Sequence, residues 1–273
     1  MASGKNSKAG RKKGPPIVNA KPTPWGTIAA VVAVVVFAAA VFGYVFVQNR
    51  QKDEKAGALA PFTPSATNRD PAKAIPGVIE ANFPSGQHVQ PNQRVAYTHF
   101  PPFGGAHDYN WAACTGVVYQ SAVRNENMVH ALEHGAVWIA YDPARVTGDA
   151  LASLRTRAEG KPYTLMSPYP GLDQPVSLQS WGHQLKVADA ADPRIDQFIQ
   201  ALRRNQYAYP EVGASCDALG PGQFDPNNPP PFDPSKPGPD AVPMAGTGAQ
   251  DAANEQGGTP PAGSTTPTTT PSS

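Results

Sequence analysis

Cysteine is almost missing from this chain, with two among 273 residues, Cys114 and Cys216. No Cys-x-x-Cys pair occurs, which removes the usual signature of a dithiol oxidoreductase. No cysteine lies directly after the first apolar run, so the chain is not expected to be a lipoprotein tethered there. Charge is also scarce: Asp, Glu, Lys and Arg make up 16% of the residues, against an ordinary quarter or so. A nucleic-acid-binding protein identified by bulk charge is therefore not expected. Apolar residues reach only 40%. In their place stand 32 prolines and 25 glycines, well above ordinary usage, so a good part of the chain is linker or tail.

The net charge of +1 hides an uneven distribution. Residues 1–25 carry six Lys or Arg and no acid, residues 217–273 carry six acids and one Lys, and the stretch between is neutral. From residue 22 to residue 49 there is no charge at all. That run contains the roughly 20 apolar residues needed to cross hydrocarbon. Trp25 and Tyr44 sit near its ends, where amphipathic rings prefer the interface. A cleaved signal peptide would have a shorter apolar core of about 7–15 residues, so the run reads as an uncleaved transmembrane helix over 26–48. Lys5, Lys8, Arg11, Lys12, Lys13 and Lys21 precede it, and Arg50, Lys52 and Lys55 follow it. The basic excess places residues 1–25 in the cytoplasm and everything after about residue 50 outside. The expected localisation is thus a single-pass cell-membrane protein with an extracytoplasmic domain. Its expected partners are the membrane and a component of the cell envelope, with no nucleic acid.

Residues 49–74 read as a polar linker. Residues 221–273 hold 13 of the prolines and two aromatics, Phe224 and Phe232, a composition expected to stay disordered. The remainder, 75–220, is long enough for one core. Strands are expected at Val137–Tyr141, Tyr163–Met166, Pro175–Leu178 and Gln184–Val187. Helices are expected over Ala150–Ala158 and from Pro193, where Asp192 precedes Ile195, Phe198, Ile199 and Leu202 at helical spacing. The fold class is α+β: one small mixed domain behind an N-terminal transmembrane helix, with a Pro-rich tail.

Outside the membrane two cysteines favour a disulfide. Joining Cys114 to Cys216 closes a loop of about 100 residues, worth roughly 4–5 kcal/mol in the chain-entropy account. A redox or metal-binding thiolate is the alternative. Of the six histidines, His99, His107, His130 and His134 fall within 36 residues. In His130-Ala-Leu-Glu133-His134, positions i, i+3 and i+4 share one helix face. Two histidines four apart suit zinc or copper, and H-x-x-E-H is also the inverted zincin order with Glu as base. The plainer alternative is histidines favoured near a helix C-terminus by its dipole, with Gly135 as the cap. His99-Phe-Pro-Pro-Phe-Gly-Gly-Ala-His107 is a tight Pro-Gly loop that can hold His107 rigidly, for a metal or for a backbone hydrogen bond.

The words PPFGGAH (Pro101–His107), YNWAACTGVVY (Tyr109–Tyr119), ENMVHALEHGAVWIAYDP (Glu126–Pro143), LMSPYPGL (Leu165–Leu172), WGHQL (Trp181–Leu185), DPRIDQFI (Asp192–Ile199) and PEVGASC (Pro210–Cys216) resemble the bacterial, mainly actinobacterial, family known as domain of unknown function 3105. The resemblance covers the whole expected domain, and His88 falls where that family often has a histidine. Thr115, between Cys114 and Gly116, departs from its pattern. The resemblance implies domain extent and key positions, not a reaction. The leading expectation is a transition-metal-binding protein, for copper or zinc. His107, His130 and His134 would be ligands, with His88, His99 or Glu133 completing the shell. A metal-dependent hydrolase using Glu133 as base and a non-enzymatic structural envelope protein are the rivals.

Overall fold

The computed structural model describes residues 24–246, with Met1 and the pair 250–251. The basic arm and the Ser/Thr/Pro end of the tail lie outside the described residues. The chain divides into two compact units, 1–55 and 56–273.

Helix α1 starts in the first unit at Trp25 and runs to Leu59, 35 residues. At 1.5 Å per residue this is about 50 Å, longer than hydrocarbon alone requires. The excess is the polar stretch from Gln48 to Lys55. Its Gln, Arg, Lys and Glu are good helix formers, so the helix continues where composition suggested a linker. The Val and Phe side chains of its apolar part are exposed on every side. Its length and hydropathy suit a membrane-spanning segment near the N-terminus.

The second unit is built on a six-stranded mixed sheet. Its strands are β1 (Val78–Glu80), β5 (Thr115–Val118), β6 (Val137–Tyr141), β7 (Thr164–Pro168), β8 (Val176–Ser180) and β9 (His183–Val187), in the order β1-β9-β8-β6-β7-β5. Strands β5, β7 and β6 are parallel, and β6, β8, β9 and β1 pair antiparallel in turn. Side chains alternate along a strand, so β6 feeds two cores. Val137, Ile139 and Tyr141 join one core with helices α3 (Gly148–Ala158) and α4 (Pro193–Leu202). Trp138 and Ala140 join the other, with Met128, Val129, Ala131 and Leu132 of helix α2 (Asn125–Glu133). Both faces are covered, which is why β6 is buried throughout. Asp192 caps α4 as its sequence suggests, accepting from the Arg194 amide at 2.9 Å.

Further pairings arise from segments too short to announce themselves. Strand β2 (Gln87–Val89) runs parallel to β4 (His107–Asp108), with His88 directly opposite His107. Strand β3 (Val95–Ala96) pairs with β10 (Val242–Pro243). The second of these differs from the expected tail. Phe224 is fully buried, and Val242 and Met244 are nearly so. The Met244 carbonyl accepts the Ala106 amide at 3.0 Å, immediately before His107. Composition counts apolar side chains but not their placement. A few of them, spaced along 221–246, suffice to lay that stretch on the domain.

The Cys114–Cys216 disulfide is formed, with Cα atoms 4.7 Å apart, inside the range such a bond requires. The Cys114 amide also donates to the Cys216 carbonyl at 2.9 Å.

Candidate metal centre

Helix α2 carries the first half of the site. It ends as the sequence word HALEHG suggests. His134 is the C-cap, Gly135 adopts φ +90°, the Gly135 amide donates to Leu132 O at 2.9 Å and the Ala136 amide to Ala131 O at 3.1 Å. This is the paired bond pattern of a Schellman ending. A Cβ on Gly135 would meet the Tyr209 ring at 2.6 Å, so glycine is required there on two counts. The helix thus presents His130, Glu133 and His134 on one buried face; their exposures are 1%, 0% and 2%.

The second half comes from β2 and β4. His88 and His107, both 0% exposed, stand side by side across that pairing with ring centroids 4.7 Å apart. His107 reaches His130 at 4.8 Å and His88 reaches it at 5.0 Å. The potential ligand atoms of His88, His107, His130 and Glu133 all lie within 4.8 Å of one another. A second group with the same property consists of His130, His134 and Glu211.

The proton positions follow from the partners. Nδ1 of His107 is 2.8 Å from Gly105 O, Nδ1 of His130 is 2.5 Å from Asp108 O, and Nδ1 of His134 is 2.6 Å from Ser215 O. A carbonyl only accepts, so each Nδ1 carries the hydrogen. For His107 and His130, Nε2 is then the atom left for the centre, the arrangement that backbone carbonyls impose on metal-ligating histidines. Glu133 Oε1 accepts the Gly86 amide at 2.8 Å, while Oε2 lies 2.7 Å from His107 Nε2. Asp108 is itself ion-paired with Arg124, which also donates to Gln93 O. The carbonyl that orients His130 therefore sits on a braced strand.

Burial dominates the electrostatics. It pushes the His88 imidazole down to about 4, helped by His107 and opposed by the carboxylates of Glu133, Glu211 and Asp108. It pushes His130 well below the ordinary histidine range, reinforced by His134, His107 and His88. The helix-end dipole, which favours a protonated histidine, is outweighed here. The result is that His88 and His130 are held as neutral imidazoles.

Of the six sequence candidates, His88, His107, His130 and Glu133 come together. His134 stands beside His130, with ring centroids 4.6 Å apart, but its Nε2 faces Glu211 at 3.1 Å. His99 joins neither group: it is half-buried on the Pro-Gly loop against Phe103, with Nδ1 3.2 Å from the Thr98 hydroxyl. Glu211 was not among the candidates. The one signal for it was its position five residues before Cys216, which the disulfide draws toward α2. Tyr109, stacked on His88 with 4.7 Å between centroids, was likewise unreadable without the β2–β4 pairing. A third group, Asp70, Glu80 and His183, already holds a cation: Lys73 lies 3.6 Å from Asp70 and 3.4 Å from Glu80.

An N-terminal apolar helix of membrane-spanning length, joined to a disulfide-closed α+β domain around a buried imidazole–carboxylate cluster, defines the class to which this chain belongs. Within it, residues 88–218 match the family described as Protein of unknown function (DUF3105). The match begins at His88 and ends just beyond Cys216, so it encloses both ligand groups and the disulfide. Neither the curated proteins nor the solved structures contain a match to the chain.

Proposed function

We propose that this is a membrane-anchored extracytoplasmic protein that binds one transition-metal ion, copper or zinc, through His88, His107, His130 and Glu133. The observation that carries the reading is the contact between His107 Nε2 and Glu133 Oε2 at 2.7 Å. With the His107 hydrogen committed to Gly105 O, both atoms present lone pairs, and two such atoms at that distance require a shared cation. A metal ion meets the requirement for all four side chains at once, and three imidazoles with one carboxylate are a donor set that zinc and copper accept. A single proton meets it for one pair only.

The same geometry favours binding over hydrolysis. A catalytic zinc keeps one coordination position open to water or substrate. Here all four side chains are at most 1% exposed, and among the described residues none of them lines the surface cavity of about 740 Å³ around Tyr97, Glu126 and Phe232. Glu133 is held by the Gly86 amide and turned toward His107, the posture of a ligand more than of a general base. The helix and the disulfide support placing the domain in an oxidising compartment, and the basic excess before the helix supports an inward N-terminus.

The test is metal analysis of the full chain purified in detergent. The wild type is expected to retain one copper or zinc ion per chain at neutral pH. Glu133→Gln keeps the size of the side chain and an oxygen for the Gly86 amide. It is expected to stay folded and to lose affinity by more than about tenfold. A wild type that holds no metal after incubation with either ion, together with a destabilised Glu133→Gln, would identify the cluster as a proton-sharing core network instead.

A further inference from the structure

We propose that His134 and Glu211 form, with His130, an outer subsite through which the ion of the inner group enters and leaves, so that the cluster is a two-position relay. This rests on the metal-binding reading above and extends it to how the ion reaches a fully enclosed site.

Three observations carry it. The inner side chains offer no route of their own, since His88, His107, His130 and Glu133 are at most 1% exposed. The outer group reaches the surface, because the Glu211 side chain is 22% exposed while its Oε2 lies 3.1 Å from His134 Nε2. The two groups have His130 in common, and this decides between a relay and two independent sites. Nδ1 of His130 is spent on Asp108 O, so His130 offers a single lone pair, on Nε2. One lone pair serves one ion at a time. An ion held by Glu211, His134 and His130 can exchange the first two ligands for His88, His107 and Glu133 while keeping the third. The ligand atoms within each group are no more than 4.8 Å apart, so the displacement is a few ångströms and no step leaves the ion without protein ligands. The outer end is held in place: Nδ1 of His134 donates to Ser215 O, and Ser215 adjoins Cys216 of the disulfide.

The experiment uses the full chain in detergent with Zn²⁺ alone. Loading is followed after mixing, and release is followed into an excess of a chromogenic chelator. Glu211→Gln is the first variant and His134→Gln the second, each checked for its thermal transition. Wild type and variants are expected to bind one equivalent with affinities within about threefold. Both loading and release in the variants are expected to slow by roughly tenfold or more, because an outer ligand acts on the path and not on the end state. Unchanged rates in a folded variant overturn the relay. So does a wild type that takes up two equivalents and a variant that takes up one, since that describes two separate sites. A wild type that binds no Zn²⁺ defeats the metal reading itself, an outcome distinct from binding with unaltered rates.

Discussion

Burial of an imidazole is a statement about stability as well as about ligation. His88 and His130 are held neutral because the folded domain takes their rings out of water. In the unfolded chain both return to about 6.5. Below that pH the unfolded state binds more protons than the folded one, so stability falls as pH falls. For His88 the loss should begin near 6.5, level off near 4 and amount to about 3 kcal/mol. His130 adds a loss of the same sign. His183 works in the other direction: burial opposes its charge, but the Asp70 carboxylate outweighs burial and raises it. Its contribution is fully present below about 6.5 and is lost as pH rises through the raised value. Denaturant midpoints of the metal-free protein, measured with chelator from pH 7.5 to 4, should therefore decline steeply. A flat profile would mean that these rings are solvated, and the enclosed cluster would have to be abandoned.

Elements explain why some of these residues could be read from sequence and others could not. Helix α2 and its ending are local: the i, i+3, i+4 spacing and Gly135 are enough. Strands β6 to β9 and helix α4 are long enough to show a period and its punctuation. The three residues of β2 and two of β4 show none. Their pairing depends on α2, on the Pro-Gly loop and on Met244, which sits 137 positions beyond His107 in the chain. So His88 could be noticed through a family resemblance, but its contact with His107 could not be derived. Two substitutions test the element-level account. Gly135→Ala meets both a positive φ and the Tyr209 ring, and should cost at least about 1–3 kcal/mol, read as a lower thermal transition. Replacing Cys114 and Cys216 together by serine removes a cross-link over 102 positions. It should cost up to roughly 4–5 kcal/mol and loosen the Ser215 carbonyl that orients His134, leaving His88, His107 and His130 in place. Loss of stability with unchanged zinc release would confine the disulfide to a structural role; slower release would show that it also holds the outer subsite.

For the molecule as a whole, one physical requirement links the membrane segment to the domain. An apolar helix of this length with Val and Phe exposed on all sides suits a lipid surrounding. The basic residues before it favour the orientation in which the following domain is exported, and export carries Cys114 and Cys216 into a compartment where thiols oxidise. The opposite orientation would leave both cysteines in a reducing cytosol, where the bond would not persist. Orientation and disulfide are thus one prediction with two readouts. In intact cells, a bulky maleimide added after denaturation without reductant should modify no cysteine of this chain, and after reduction it should modify both. A protease added from outside should cut within the domain region and leave the basic N-terminal arm protected. Two modifiable thiols before reduction, with the domain protected from external protease, would place it on the cytoplasmic side. The buried cluster would then face a cytosol that holds free copper and zinc at very low levels, and the metal proposal would have to be rebuilt for that setting.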